Sequence, residues 1–181
     1  MKIIGITGKA GSGKDTIGTY LNMRYKFFHE SLAAPIKRLV KDVFVVDGKA
    51  MNDRIGREEQ LANWPDWTVR KMLQHVGTEM FRATFGEDIW VKSLCLRLRE
   101  IDYDKFVITD VRFPNERDYL RKEYGLNFTL IRVVRPGYDG AVSGIPGHAS
   151  EAHVLESDFV LDNTGTVADL CKQVDGIMGS V

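Results

Sequence analysis

The sequence predicts an α/β fold of three layers, a parallel sheet with helices on both faces and a lid insertion. Three observations carry this reading. Strand-like apolar runs alternate with helix-period segments along the 181 residues, the connections are crossovers, and the first run opens through a glycine-rich turn into a helix.

Taken in order, Lys2–Thr7 is an apolar strand, and the helix that begins near Asp15 or Thr16 carries Ile17, Tyr20, Leu21 and Arg24 on one face. A short apolar stretch at 27–32 follows. Pro35 suits the first turn of a helix bearing Ile36, Leu39, Val40 and Val43. Residues 46–67 are polar and turn-rich and read as a surface excursion. Two helical blocks come next, marked by Val69, Met72, Leu73, Val76 and Met80, then by Ile89, Trp90, Leu94, Leu98 and Ile101. Residues 106–109 form a buried strand ending in Asp110, Pro114–Tyr124 a helix, Phe128–Val134 a strand, and 159–161 a last strand. Thr166 with Asp169 three residues on signals the start of the final helix. The whole reads as one domain, 1–181.

Composition fits a small globular enzyme: 44% apolar and 28% charged residues argue against disorder. The formal net charge of zero disfavours a dedicated nucleic-acid binder, which needs a basic excess. Cys95 and Cys171 lie at helix-like apolar positions, as reduced thiols of a cytoplasmic protein do. The opening MKIIGIT is too short for a signal peptide, and no segment approaches a membrane span. No nucleic-acid or membrane partner is therefore expected; association as a homodimer stays open.

In a parallel sheet, ligands gather at the carboxyl ends of the strands. The first such end holds GKAGSGKDT, residues 8–16. Gly8, Gly11 and Gly13 permit a tight turn, so that the backbone N–H groups of the loop, including Ala10 and Ser12, can face phosphate oxygens. Lys14 supplies charge, and the helix N-terminus supplies its dipole. Many such loops place Ser or Thr directly after the lysine to hold Mg²⁺; here Asp15 stands there and Thr16 one place later. Asp15 either faces Mg²⁺, directly or through water, or complements the helix dipole.

A second strand end holds DVRFPNE, residues 110–116. Asp110 occupies the place of an acid that holds Mg²⁺ or its waters, with an ordinary turn carboxylate as the alternative. Val111 follows where a water-activating ATPase places a second carboxylate, which favours transfer to an organic acceptor. Arg112 stands two residues beyond the acid, within reach of a transferring phosphoryl group or of solvent.

GKAGSGKDT, LAAPIKR at 32–38, RKMLQHVGTE at 70–79, ITDVRFPNE at 108–116 and HASEAHVLESDFVLDNTGT at 148–166 resemble, in order and over most of the chain, the bacteriophage deoxynucleoside monophosphate kinases of the P-loop kinase superfamily. The resemblance implies transfer of the γ-phosphoryl of ATP to a deoxynucleoside monophosphate with Mg²⁺ as cofactor. It assigns Lys14, Asp15 and Thr16 to the triphosphate and metal, Arg112 to the reaction centre, and Lys37, Arg38 and Arg70 to the acceptor phosphate, in an acceptor-binding region of about 32–85. Arg70 falls at the start of a helix, where the dipole opposes a cation; a nearby anion explains it, and so does solvent. Acceptors such as phosphomevalonate or dephospho-coenzyme A, and a non-catalytic ATP-dependent binding module, are the alternatives.

The glycine- and proline-rich residues 135–150, with Gly137, Gly140, Gly144 and Gly147 between Pro136 and Pro146, are the lid candidate, entered past Arg132 and Arg135. His148, Glu151 and His153 lack further ligands and give no zinc site. Asn163 and Gly165 follow the last strand, where the resemblance implies contact with adenine.

Overall fold

A computed structural model describes residues 1–52, 56–137 and 153–180. Along the chain its elements are β1 (Lys2–Thr7), α1 (Lys14–Tyr25), β2 (Phe28–Glu30), α2 (Ala34–Phe44), α3 (Gly48–Asn52), a 3-10 turn (Gly56–Glu58), β3 (Gln60–Leu61), β4 (Trp64–Thr68), α4 (Val69–Gln74), a π-helical stretch (His75–Arg82), α5 (Ala83–Phe85), α6 (Ile89–Glu100), β5 (Lys105–Ile108), α7 (Pro114–Tyr124), a 3-10 turn (Gly125–Asn127), β6 (Phe128–Val134), β7 (Phe159–Asp162) and α8 (Val167–Met178). They form two compact units. The first holds Met1–Leu32 with residues 91–137 and 153–180; the described part of the second is residues 33–52 and 56–90.

The first unit is built on a five-stranded sheet in the order β2-β5-β1-β6-β7, with every pairing parallel. Its central strands are apolar on both faces, as strands covered on both sides must be. Ile4 and Ile6 of β1, Val107 of β5, and Ile131 and Val133 of β6 point to one face and pack with Ile17 and Leu21 of α1 and Leu170 and Val174 of α8. Right-handed crossovers place α1 on one face and α6 and α7 on the other, because the chain leaves β1 toward one edge of the sheet and leaves β2 and β5 toward the other. The carboxyl end of β1 is thus where the connections part, the position at which such sheets bind ligands. Tyr25 and Tyr20 of α1 donate to Asp175 Oδ1 of α8 at 2.7 and 2.8 Å and hold that carboxyl below the usual carboxylate range.

The expected strands β1 and β6 and helix α7 have the bounds read from the sequence. The Thr166 cap is present: its Oγ1 accepts from Asp169 N–H at 3.2 Å, while Asp169 Oδ2 accepts from Thr166 N–H at 3.1 Å. Neither Cys95, which is buried, nor Cys171 is in a disulfide. Among the described residues, no helix is long and apolar enough to cross a membrane.

The second unit departs from expectation in three places. Residues 46–67, read as an excursion, contain α3, a 3-10 turn and most of the β3–β4 hairpin, and they bury Val46 and Met51. The two apolar side chains are too isolated to show a period, yet they anchor the segment. Met80 was expected on the buried face and is exposed, because the helix widens from His75 into π-type bonding; Val76, Gly77 and Arg82 become the buried set, with Gly77 and Arg82 at the five-residue spacing of a π turn. Trp90 Nε1 donates to Gly77 O at 2.8 Å within this stretch. A Cβ at Gly77 would lie 3.0 Å from Ile36 Cδ1, so α2 packs closely there.

Val43 is the third departure: it is exposed, and the chain instead turns to bury Val46. The turn puts Val45 at φ 53, a left-handed conformation for a β-branched residue that is 82% exposed, while Val46 N–H donates to Lys41 O. Val45→Gly removes this strain without losing packing. It is expected to stabilise the protein by roughly 0.5 to 1 kcal/mol after the glycine's extra unfolded-state entropy. Chemical denaturation checks this; an unchanged or lowered midpoint contradicts it.

Candidate functional site

The segment between β1 and α1 folds as a cradle. Gly8, Gly11 and Gly13 have φ values of 144, 74 and 107. Space demands glycine as much as conformation does: a Cβ at Gly8 would lie 2.4 Å from Val133 O of β6, and one at Gly13 2.6 Å from Asn163 Nδ2. Lys14, the first residue of α1, turns back over the loop, its Nζ donating to Gly8 O and Lys9 O at 2.7 Å each. Ser12 is buried, and its Oγ has no hydrogen-bond partner among the described residues. An orphaned hydroxyl inside a ring of positive-φ backbone fits an anionic ligand whose oxygens would complete it. Ala10 is half-buried within the loop, and Asp15 and Thr16 lie in the first turn of α1, with Asp15 exposed.

Two outside groups hold the cradle. Asn163, just after β7, donates from Nδ2 to Ser12 O at 2.8 Å and from its backbone to Val134 O at 2.8 Å. Its amide therefore supports the loop. Gly165 sits against the capping carboxylate of Asp169, which a Cβ would approach to 3.0 Å. Arg135, beyond the end of β6, directs Nη1 toward Gly11 O at 3.4 Å. Arg132 lies at the carboxyl end of β6 in register with Thr7, and its buried Nε has no hydrogen-bond partner among the described residues. Of the lid candidate, residues 138–150 lie outside the described residues.

Asp110 and Arg112 are brought beside the loop by the backbone. Val111 N–H donates to Ile6 O at 3.3 Å, continuing the β1–β5 pairing past the end of β5. Asp110 accepts from Ser31 Oγ and Leu32 N–H at 2.9 Å each. Glu116, absent from the expected site, is 3% exposed and accepts from Arg112 N–H at 2.8 Å and Phe113 N–H at 3.0 Å. It sets the backbone that presents Arg112. The available signal was Pro at the first turn of α7 with Glu two places on; without Ser or Thr at the cap, the capping-box pattern was concealed. Gly18 was also missed: a Cβ there would meet Thr109 Cγ2 at 2.5 Å, so glycine lets α1 seat against the strand ends that carry Asp110.

Lys37, Arg38 and Arg70 all belong to the second unit and the loop residues to the first. Lys37 is half-buried and Arg38 exposed on α2. Arg70, in the first turn of α4, has an anion already: its Nε donates to Glu58 Oε1 at 2.5 Å, with both side chains largely buried. Of the two explanations for an arginine at a helix start, a nearby anion and solvent, an anion is present as a carboxylate of the chain itself.

No group of three or more His, Cys, Asp or Glu suited to a metal exists among the described residues. Mg²⁺ bound to a polyphosphate takes one or two carboxylates from a protein and the remainder from phosphate and water. Asp15 and Asp110 are the carboxylates that could face it.

The profile of a family described as deoxynucleotide monophosphate kinase matches residues 46–174. A protein of Acanthamoeba polyphaga mimivirus, provisionally named deoxynucleotide monophosphate kinase, is 31% identical over 192 aligned positions, covering 96% of this chain and 94% of that one. The deoxynucleotide monophosphate kinase of Escherichia phage RB69 is 29% identical over 62% of this chain and 45% of its own, so the match spans under half of that enzyme. Among solved structures, the shikimate kinase of Aquifex aeolicus superposes with a TM-score of 0.52 at 11% identity, covering 98% of this chain and 96% of that one, a likeness of fold.

Proposed function

Because the chain belongs to the deoxynucleotide monophosphate kinase family, we propose that it transfers the γ-phosphoryl group of ATP to a deoxynucleoside monophosphate at the loop 8–16. The observation that carries this is the cradle itself, where Lys14 bridges two loop carbonyls beside the orphaned Ser12 hydroxyl at the carboxyl end of β1. Phosphoryl transfer needs little covalent help; it needs donor and acceptor in line and charge on the transferred group neutralised. Lys14 and the loop amides serve the donor phosphates, and Arg112, held by Glu116, serves the transferring group. Arg132 and Arg135 contribute at the entrance to the lid region. Lys37, Arg38 and Arg70 bind the acceptor phosphate in the unit that begins at Ala33. Mg²⁺, when bound, shields the phosphate charge, with Asp15 and Asp110 oriented to it or to its waters. The chain acts in the cytoplasm of its host cell.

The test is release of ADP from Mg²⁺-ATP across a panel of deoxynucleoside monophosphates, with phosphomevalonate and dephospho-coenzyme A alongside. Turnover on a deoxynucleoside monophosphate supports the proposal, whereas turnover confined to either alternative acceptor refutes it. Asp15→Asn checks the metal role. If Asp15 faces Mg²⁺ or its waters, the Mg²⁺ concentration for half-maximal rate is expected to rise about tenfold or more. An unchanged Mg²⁺ dependence with a small loss of stability leaves Asp15 as a helix-dipole partner.

A further inference from the structure

Four hydrogen bonds converge on two residues at the end of β2. Ser31 N–H donates to Glu30 Oε2 at 3.0 Å, Ser31 Oγ to Asp110 Oδ2 at 2.9 Å, and Leu32 N–H to Asp110 Oδ1 at 2.9 Å, while Ser31 O accepts from Arg97 Nη2 at 2.8 Å. The same nitrogen of Arg97 reaches Glu30 Oε2 at 3.3 Å, and its Nη1 donates to Ser93 Oγ at 3.0 Å. Among the described residues, β2 is a three-residue edge strand paired only with β5, the kind of strand whose end frays in solution. Here both backbone N–H groups, the Ser31 carbonyl and the hydroxyl are all engaged.

The place of this dipeptide in the chain gives the bonds a purpose. The chain leaves the first unit after Leu32 and re-enters it at Val91, within α6. Arg97 belongs to that returning helix, so one guanidinium ties the departing segment to the returning one. Asp110, at the end of β5 and next to Arg112, holds the same dipeptide. We infer that Arg97 is a positioning residue for phosphoryl transfer: through Ser31 it holds Asp110, and with Asp110 the segment that presents Arg112. The inference rests on the role proposed for Arg112 at the transferring group. In-line transfer is sensitive to displacements of about an ångström, so a loosened segment reaches the chemistry without Arg97 touching the substrate.

The experiment compares Arg97→Met, Arg97→Lys and Ser31→Ala with the wild type, using steady-state kinetics with each substrate varied and amide hydrogen exchange at residues 31 and 32. Arg97→Met is expected to lower kcat/KM for the acceptor roughly ten- to a hundredfold, leave the KM for ATP within about twofold, and speed exchange at both amides. Arg97→Lys should recover part of the loss, since an ammonium can reach the Ser31 carbonyl but cannot span its partners as the planar fork does. Ser31→Ala, a small change at a half-buried site, should shift the same parameters less. If Arg97→Met only lowers the melting temperature, with kcat and both KM values unchanged, the positioning role falls while the kinase reading stands. If the wild type releases ADP with no deoxynucleoside monophosphate, the kinase reading falls first. Exchange at residues 31 and 32 then decides the anchor alone, and unchanged exchange in Arg97→Met overturns it.

Discussion

Lys14→Ala is expected to leave a folded protein whose kcat is reduced by roughly 10²- to 10³-fold or more, the loss found when one preorganised group that stabilises transition-state charge is removed. The fold should survive because the side chain contributes nothing to the packing of Ile4, Ile6, Ile17 and Leu21 beneath it. What it does contribute is a bridge between Gly8 O and Lys9 O. One ammonium bridges two loop carbonyls, so the lysine both shapes the loop and supplies its charge. Asn163 holds the loop at Ser12 independently, and that contact remains in the variant. Coupled ADP release measures the rate, and circular dichroism with thermal melting measures the fold. Near-normal turnover with a native spectrum would remove Lys14, and with it the loop, from the reaction.

The parts of this architecture that were legible in the sequence are those in which local signals and packing agree. Lys2–Thr7 and Phe128–Val134 are apolar runs between turn residues, and Pro114 opens α7 as its fixed φ favours. The glycine loop was legible because glycines at 8, 11 and 13 with a lysine directly after them, between a strand and a helix, suit a phosphate and little else. The misses arise where tertiary partners decide. Met80 faces solvent because a π turn rotates the helix surface, and helical periodicity presumes a constant turn. Glu116 and Arg97 act through backbone groups of other segments or of their own turn, and Asn163 does so in addition to the place the resemblance gave it. Asn163 was placed near the nucleotide by resemblance; its observed bond, to a loop carbonyl 151 residues away in sequence, is a relation that only the assembled sheet creates.

Arg70→Ala is expected to raise the acceptor's KM about tenfold or more, since a charge-assisted contact to phosphate is worth about 1.5 to 3 kcal/mol. The KM for ATP should move much less. The ion pair with Glu58 adds a second consequence. Both side chains are largely buried, at 13% and 15% exposure, so the alanine leaves a carboxylate without its guanidinium and should also cost about 1 to 3 kcal/mol of stability. The two effects separate in a double variant. Arg70→Ala combined with Glu58→Gln removes both charges of the pair, so stability should return in part while the acceptor's KM stays high. Arg70→Lys should rescue each property incompletely, because an ammonium meets Glu58 or a phosphate as a point charge and cannot offer both the edges of a planar fork. Steady-state kinetics with each substrate varied, alongside denaturation of all four proteins, gives the answer. A lowered melting temperature with an unchanged acceptor KM would assign Arg70 to Glu58 alone, and the acceptor phosphate would then need its cation from Lys37 or Arg38.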